Sequence, residues 1–444
     1  MQDIKLIKEN PALFKKLVTL KHIDLDIDLL LEKYEKRSQL ILEIENLRNQ
    51  RNKNVDEIKK IKGKPTPVLI EKGKEIKDKL ALLETELKEI EEVYQKMMWS
   101  TPQVISDDTP IGKDDSENVE VRRWSPEKGD GGDPKKFNFE FKDHIQLGED
   151  LDLLNFEKGV RTSGFRGYYL KNEAMLLHMG LMMFGVSLIK KKGFDVFTPP
   201  TIVKSEALWG SGHFPFDEEN IYVIDSLKRM NEENEDSKER KYLVGTAEAS
   251  LLAYYRDEVI DEDKLPIKVA GLSQCYRSEI GSYGKDTRGI YRIHEFMKVE
   301  QVVICKNDFK ESTKMHELML SYSEELLQAL KLPYRVIQVC TGDMGAGKYR
   351  MFDIETWMPS RNAYGETHSA SNLADWQPRR LNLKIKAKDG TKYYPHALNN
   401  TVVASPRILI ALLENYQNED GSITVPEVLR PYVGVDVIKP RKIK

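Results

Sequence analysis

Apolar residues return four and then three positions apart from Ile76 through Leu80, Leu83, Leu87, Ile90 and Tyr94 to Met97. That spacing is a coiled-coil seam and predicts a helix over roughly residues 69–98. A matching seam at Leu40, Ile44, Leu47, Ile58 and Ile61 predicts a partner helix over roughly 26–61, interrupted near its far end by Arg51 and Asn54. Gly63, Pro65 and Pro67 separate the two, and residues 1–24 read as a short packed start. Two seamed helices joined by a short Pro/Gly turn fold back as an antiparallel hairpin, reaching about 50 Å at 1.5 Å per residue.

Past the hairpin the pattern changes. Residues 102–133 are rich in Pro, Gly and Asp and read as a connector. Helical patterns come next at 151–155, 168–191 and 309–331. The apolar run after Ser405-Pro406 predicts a last helix, with Ser405 as N-cap and Pro406 in its first position. Between them lie strand-like stretches at 193–200, ended by Pro199 and Pro200, at 275–301, at 334–340 and at 350–357. Strands and helices that do not strictly alternate predict an α+β body with a mostly antiparallel sheet. Residues 230–241 are almost all charged, without a period, and read as a mobile surface insertion.

A length of 444 residues suggests two or three domains. Net charge is −3, so a nucleic-acid partner has to be met by a local basic patch. One exists: residues 48–79, the far half of the hairpin, hold eleven Lys/Arg against five Asp/Glu. Its bases are acidic, with Asp24, Asp26 and Asp28 on one side and Glu84, Glu86, Glu89, Glu91 and Glu92 on the other. Coiled-coil charges ordinarily form a solvated face, but a positive tip on a negative chain points to a polyanion. Cys275, Cys305 and Cys340 have no zinc-ligand spacing and suit a reducing compartment. The most apolar run, 174–189, is short for a membrane span and contains His178, so a buried helix is expected.

The densest chemistry lies in 275–301, read as two antiparallel strands joined by the polar loop 281–289. Residues two apart share a strand face, which groups Arg277 with Glu279, and Arg292 with His294, Phe296, Lys298 and Glu300. Cations for phosphates, a ring for a base and acids for an amine or metal would suit a nucleotide. A solvated, ion-paired hairpin has the same composition. Arg407, in the first turn of the last helix, opposes the helix dipole unless an anion lies near, and the N–H groups there suit a phosphate. Gly342-Asp-Met-Gly-Ala-Gly-Lys348 fits a phosphate-loop pattern after a strand. However, Tyr349 stands where Ser or Thr would meet magnesium, and the next residues alternate like a strand, so we read it as a decoy.

Arg277-Ser278-Glu279, the loop, and Arg292-Ile-His-Glu-Phe296 on to Glu300 resemble motif 2 of the class II aminoacyl-tRNA synthetases. Pro200 resembles the motif 1 proline, Arg407 the motif 3 arginine, and Thr246-Ala247-Glu248 a serine-site triplet. With the runs 112–124, 370–380 and 408–417, the chain is similar nearly end to end to the seryl-tRNA synthetase family. The resemblance implies a tRNA-binding domain over 1–110, with its arm at about 26–98, and a catalytic domain over 111–444. That domain would carry about six to eight antiparallel strands flanked by helices. It also implies a cytoplasmic homodimer, off the membrane, that uses ATP and Mg2+ to load L-serine onto tRNA(Ser), and onto tRNA(Sec) where present.

Carried over residue by residue, Arg277 and Arg407 would hold the α- and γ-phosphates, Phe296 would stack on adenine and Glu279 would read its amino group. Ser278, Arg292, Thr367 and His368 complete the implied ATP site, and Glu366 and Ser369 would hold magnesium. Thr246, Ala247 and Glu248 would take the serine α-amino group, and Glu300 and Thr401 its hydroxyl. Arg277, Glu279 and Arg407 form the implied catalytic set. On the arm, Arg48, Arg51, Lys53, Lys59, Lys60, Lys62 and Lys64 would face tRNA. Two positions depart from the pattern. Asn399-Asn-Thr-Val402 stands where many bacterial relatives have Asn-Gly-Ser-Gly, and His368 stands where serine is common and is expected to fill space. A carrier-protein loader, an RNA-binding paralogue without catalysis and a coiled-coil scaffold remain alternatives. The basic arm, the intact Arg277, Glu279, Glu300 and Arg407, and the body argue against them in turn.

Overall fold

The computed structural model describes residues 1–61, 64–225, 240–280 and 288–440, which form two compact units, 1–102 and 103–444. Lys62, most of the charged run from Met230 and the loop residues 281–287 lie outside the described residues.

The first unit opens with helices Ile4–Glu9 and Pro11–Leu20, then pairs two long helices, Ile27–Lys60 and Pro67–Trp99. The first long helix starts where Asp26 accepts hydrogen bonds from the Asp28 and Leu29 N–H groups, and Pro67 opens the second. Ile44 and Leu47 bury themselves against Ile76 and Leu80, with Leu83 and Leu87 half-covered beside them, and Leu40 is buried one turn before Ile44. Arg48–Glu84 (2.8 Å), Lys79–Glu43 (2.8 Å) and Lys36–Glu86 (2.9 Å) bridge the hairpin from outside. Such exposed pairs favour the register more than they stabilise it. Asn54 corrects the reading of an interrupted seam. It is buried, and its amide donates to the Leu69 carbonyl at 3.1 Å, where a side chain at Gly73 would crowd it.

The second unit is built on a nine-stranded sheet. Its strand order is Gly129–Asp130, Val119–Ser125, Tyr334–Gln338, Arg350–Met358, Ala363–Asn372, His396–Ala404, Glu295–Cys305, Ile267–Tyr276 and Asp195–Phe197. Every neighbouring pair is antiparallel except the last, where the short edge strand ending before the two prolines runs parallel to Ile267–Tyr276. Helices Asn172–Lys191 and Phe309–Ala329 pack against the centre of the sheet, and Leu181, Leu326, Val299, Val303, Val402 and Val403 share one core. A side chain at Gly185 would sit 2.6 Å from a Val403 methyl, so this glycine sets how closely the first helix approaches. Asn172–Lys191 is the one helix among the described residues long and apolar enough to cross a membrane, and its Ala174, Leu177, Leu188 and Ile189 face the core.

Two helix expectations shift. The helix expected at 151–155 lies earlier, at His144–Asp150, because Asp143 caps it at Gln146 N–H and Asp152 takes a left-handed φ of 56°. Leu154–Asn155 instead pairs with Tyr169–Leu170 across a helix at Phe156–Ser163, and the helix expected from 168 therefore starts at Asn172.

His316 is fully buried beside Phe352, and burial pulls its imidazole pKa down to about 3. A depressed folded-state pKa contributes stability above the unfolded value of about 6.5 that is lost as pH falls toward 3. His316→Leu is therefore expected to flatten the acid limb of stability by up to about 1.4 kcal/mol per pH unit. Urea midpoints at a series of pH values read that slope independently of any offset, and an unchanged slope refutes it.

Candidate active site

Strand Glu295–Cys305 divides its side chains by alternation. Val299 and Val303 enter the core, while Phe296, Lys298 and Glu300 point to the opposite face. A bulge in the neighbouring strand sets the floor of the site. Glu300 pairs with Thr401 and Val299 with Val403, leaving Val402 as the extra residue. Thr401 therefore shares the face of Glu300, and its hydroxyl lies 3.5 Å from the carboxylate. Lys298 Nζ lies 2.5 Å from the same oxygen. Burial raises the Glu300 pKa, and Lys298 offsets part of the rise.

Arg277 and Glu279 are not strand neighbours as the alternation suggested. The strand ends at Tyr276, the Arg277 N–H still bonds the His294 carbonyl (2.9 Å), and Glu279 takes a left-handed φ of 53°. The turn nevertheless brings them to one pocket with Phe296 and Arg292. The Arg277 guanidinium lies 5.5 Å from the Phe296 ring centroid, and Arg292 donates to Glu279 at 3.2 Å. Ser278 turns away, donating to the Glu219 carbonyl at 2.5 Å.

A second bulge forms the opposite wall. Asp353 pairs with Ser369, Ile354 with His368 and Glu355 with Glu366, so Thr367 is the extra residue. Glu366 and Ser369 thus share a face despite their spacing of three. Arg407 closes the pocket, donating to the Tyr291 carbonyl (3.1 Å) and to both the backbone carbonyl (2.8 Å) and carboxylate (3.2 Å) of Glu366. It is the first residue of helix Arg407–Asn415, but Ser405 does not cap that helix. Its hydroxyl instead accepts from the Met297 N–H (3.2 Å) and lies 3.0 Å from His178 Nε2, tying the segment to the strand. His368 is buried in the wall, with Nε2 donating to the Val402 carbonyl (3.2 Å) and Nδ1 2.9 Å from the Thr367 hydroxyl. Burial pulls its pKa down to about 4.

Asp353, Glu355 and Glu366 lie on one face of two paired strands. Burial, and then repulsion from Glu366, push Asp353 well above the usual carboxylate range, and the Ser369 hydroxyl relieves it in part. That is an environment a cation would ease. No group of three His, Cys, Asp or Glu converges as a metal cage among the described residues. Mg2+ asks for less, keeping waters and taking one or two carboxylates beside substrate phosphates. The half-exposed Glu366 carboxylate and the Ser369 hydroxyl fit that demand.

A cavity of about 270 Å³ holds the Glu248 side. Thr246 caps helix Ala247–Ala253, and Glu248 accepts from Gln377 (2.6 Å) and Asn399 (2.8 Å). Ala247 packs into the core with Leu251 and Val269 rather than lining the cavity. His213 and Lys348 line it too, and burial lowers the His213 pKa. The phosphate-loop decoy forms turns and runs into strand Arg350–Met358, so no helix comes after it. Alternation places Lys298 on this face already and could have assigned Asn399, two residues before Thr401, as well. His213 comes from a distant segment with no sequence signal, Gln377 lies in the family-like run 370–380, and Lys348 is the lysine of the rejected phosphate-loop pattern. On the arm, Arg51, Lys53, Lys60 and Lys64 are exposed, while Arg48 is paired with Glu84 and Lys59 lies 4.0 Å from Asp56.

Residues 228–416, from which most of this pocket is built, match the tRNA synthetase class II core domain (G, H, P, S and T), so the chain carries the core domain of a class II aminoacyl-tRNA synthetase. Residues 1–105 match the seryl-tRNA synthetase N-terminal domain. The serine–tRNA ligase of Treponema denticola is 42% identical over 442 residues, 99% of this chain and 100% of its own length. That of Deinococcus radiodurans is 42% identical over 98% of both chains. The crystal structure of seryl-tRNA synthetase from Pyrococcus horikoshii complexed with ATP superposes with a TM-score of 0.87 at 36% identity, covering 100% of both chains. The chain belongs to the seryl-tRNA synthetase family, the serine–tRNA ligases.

Proposed function

We propose that the chain activates L-serine with ATP and transfers it to tRNA(Ser), with tRNA(Sec) as a second acceptor where one exists. The observation that carries this reading is the convergence of Arg277, Arg407, Phe296 and Glu279 on one pocket that Lys298 and Thr401 also line, both of them in contact with the buried Glu300 carboxylate. Arg277 and Arg407 neutralise the α- and γ-phosphates, Phe296 stacks on adenine, and Glu279 and Arg292 frame its edge and the phosphates. Glu248, held by Gln377 and Asn399, takes the serine ammonium, and Glu300 and Thr401 take its hydroxyl. Mg2+ on Glu366 and Ser369 would supply charge neutralisation at the phosphates.

Serine's carboxylate oxygen then attacks the α-phosphorus in line, the bond to the bridging oxygen breaks, and pyrophosphate leaves. A hydroxyl at the tRNA 3′ end next attacks the adenylate carbonyl and AMP leaves. The protein's part is positioning and preorganised charge, without a protein nucleophile. Serine-dependent ATP–pyrophosphate exchange, followed by charging of total tRNA, tests the reading, and absence of both refutes it.

The exposed Met175, Leu176, Met179 and Met183 on helix Asn172–Lys191 form an apolar stripe that supports a homodimer. Three buried free thiols are in keeping with the cytoplasm.

Residues 1–110 serve as the tRNA-binding domain in this reading, with tRNA phosphates on the basic half of the arm, and residues 111–444 as the catalytic domain. Replacing residues 45–82 by a short turn is expected to spare exchange and collapse charging. Reversing Lys59, Lys60 and Lys64 to Glu weakens tRNA binding and flattens its log–log salt dependence by about 0.7–0.9 for each phosphate no longer neutralised. Unchanged affinity and slope would return those lysines to a solvated face.

A further inference from the structure

The chain that returns from the loop to strand Glu295–Cys305 is anchored from outside the pocket. Glu414, buried on helix Arg407–Asn415, accepts four hydrogen bonds. Its Oε1 takes the His144 backbone N–H (3.0 Å), the His144 ring at Nδ1 (2.9 Å) and the Ser360 hydroxyl (2.8 Å), and its Oε2 takes the Ser360 N–H (2.9 Å). A carboxylate in this position can only accept, so Nδ1 of His144 carries the ring proton. Nε2 is thereby left as an acceptor, and the Ile290 N–H donates to it at 3.3 Å. The imidazole presses so closely on this point that a side-chain carbon at Gly289 would lie 2.0 Å from Nε2. Gly289 also has a φ of +69°, so both space and backbone require glycine.

Beyond this anchor lies the phosphate end of the pocket. Tyr291 comes next, with the Arg361 guanidinium 4.2 Å and that of Arg407 4.4 Å from its ring centroid. Its carbonyl also holds Arg407 Nε at 3.1 Å. Arg292 after it pairs with Glu279. One hydrogen bond at Ile290 therefore fixes the backbone from which both Arg292 and the support of Arg407 are hung. Neither Glu414 nor Ile290 nor His144 lines the Glu248 cavity.

We infer that His144 and Glu414 are positioning residues for ATP: together they hold Gly289 and Ile290 so that Tyr291, Arg292 and Arg407 meet the phosphates preorganised. The inference rests on the ATP site proposed for this chain.

Its test is the KM split in pyrophosphate exchange by the full-length protein. His144→Phe keeps a ring but removes the acceptor. It is expected to raise the KM for ATP about 5- to 100-fold, the cost of leaving a buried N–H unpaired, while the KM for serine stays within about twofold. His144→Asn can still bond Glu414 but cannot reach Ile290, and it behaves like His144→Phe. His144→Gln places an amide oxygen near the position of Nε2 and rescues the KM for ATP. Gly289→Ala, which pushes the imidazole aside, reproduces the His144→Phe effect without touching His144. A merely structural histidine gives a different result: both KM values and the melting temperature move together, or Asn and Gln rescue equally. Either result, or an unchanged KM for ATP in a folded His144→Phe protein, overturns the inference. Arg407→Ala serves as the control. If it leaves exchange intact, the ATP site itself is wrong; if it abolishes exchange while His144→Phe does nothing, only the positioning role falls.

Discussion

Arg277→Ala and Arg407→Ala are each expected to lower serine-dependent pyrophosphate exchange by about 10²–10³-fold with the fold intact. Both guanidiniums are held before substrate arrives. Arg277 lies against the Phe296 ring, and Arg407 is fixed by the Tyr291 carbonyl and two oxygens of Glu366. A donor already aimed at developing charge needs no reorganisation during the reaction, and removing one typically costs about 3–4 kcal/mol. The loss should fall on kcat and kcat/KM together, since the charge grows toward the transition state. Far-ultraviolet circular dichroism and the melting temperature check the fold. Exchange within about threefold of the parent in either variant would remove that arginine from the site.

Glu300→Gln is expected to shrink the preference for serine over alanine by about 10- to 100-fold and to raise the KM for serine. A pocket built to bond a hydroxyl leaves its own buried groups unpaired when alanine enters, and such sites reject the lesser analogue by about 10⁴. Threonine keeps the hydroxyl, so only its extra methyl excludes it, by about 1–3 kcal/mol. The expected order is serine, then threonine, then alanine. Glu300 has a second duty, because Lys298 lies 2.5 Å from it and both are buried. Losing the carboxylate leaves that ammonium without its counter-charge, which is destabilising in its own right. The double variant Lys298→Met/Glu300→Gln separates the two: stability should return while discrimination does not. Equal loss of activity on serine and alanine in the single variant would move the specificity assignment to Glu248.

Several features could be read from the sequence because local periodicity dictates them. A 4-3 apolar seam has one economical solution, and Leu40, Ile44, Leu47, Ile76 and Leu80 are buried as it requires. Alternation groups Arg292, His294, Phe296, Lys298 and Glu300; the strand Glu295–Cys305 carries the last three on one face, while Arg292 and His294 precede it. The decoy at 342–348 was rejected by its own next residue, and a strand comes after it.

Features that depend on distant partners could not be read. Asn54 looked like a flaw in the seam because its acceptor, the Leu69 carbonyl, belongs to the other helix. Ser405 had the sequence of a cap and is used instead against Met297 and His178. Strand periodicity also fails wherever a ladder gains a residue. The bulges at Thr367 and Val402 turn Glu366 toward the face of Ser369, and Thr401 toward that of Glu300, against the count of two. The contact between His144 and Glu414 spans 270 positions. Periodicity along one segment fixes which side of that segment is apolar, because neighbouring side chains are set by the backbone's own geometry. Which distant polar groups meet is decided only when the sheet closes and burial makes every unpaired donor costly.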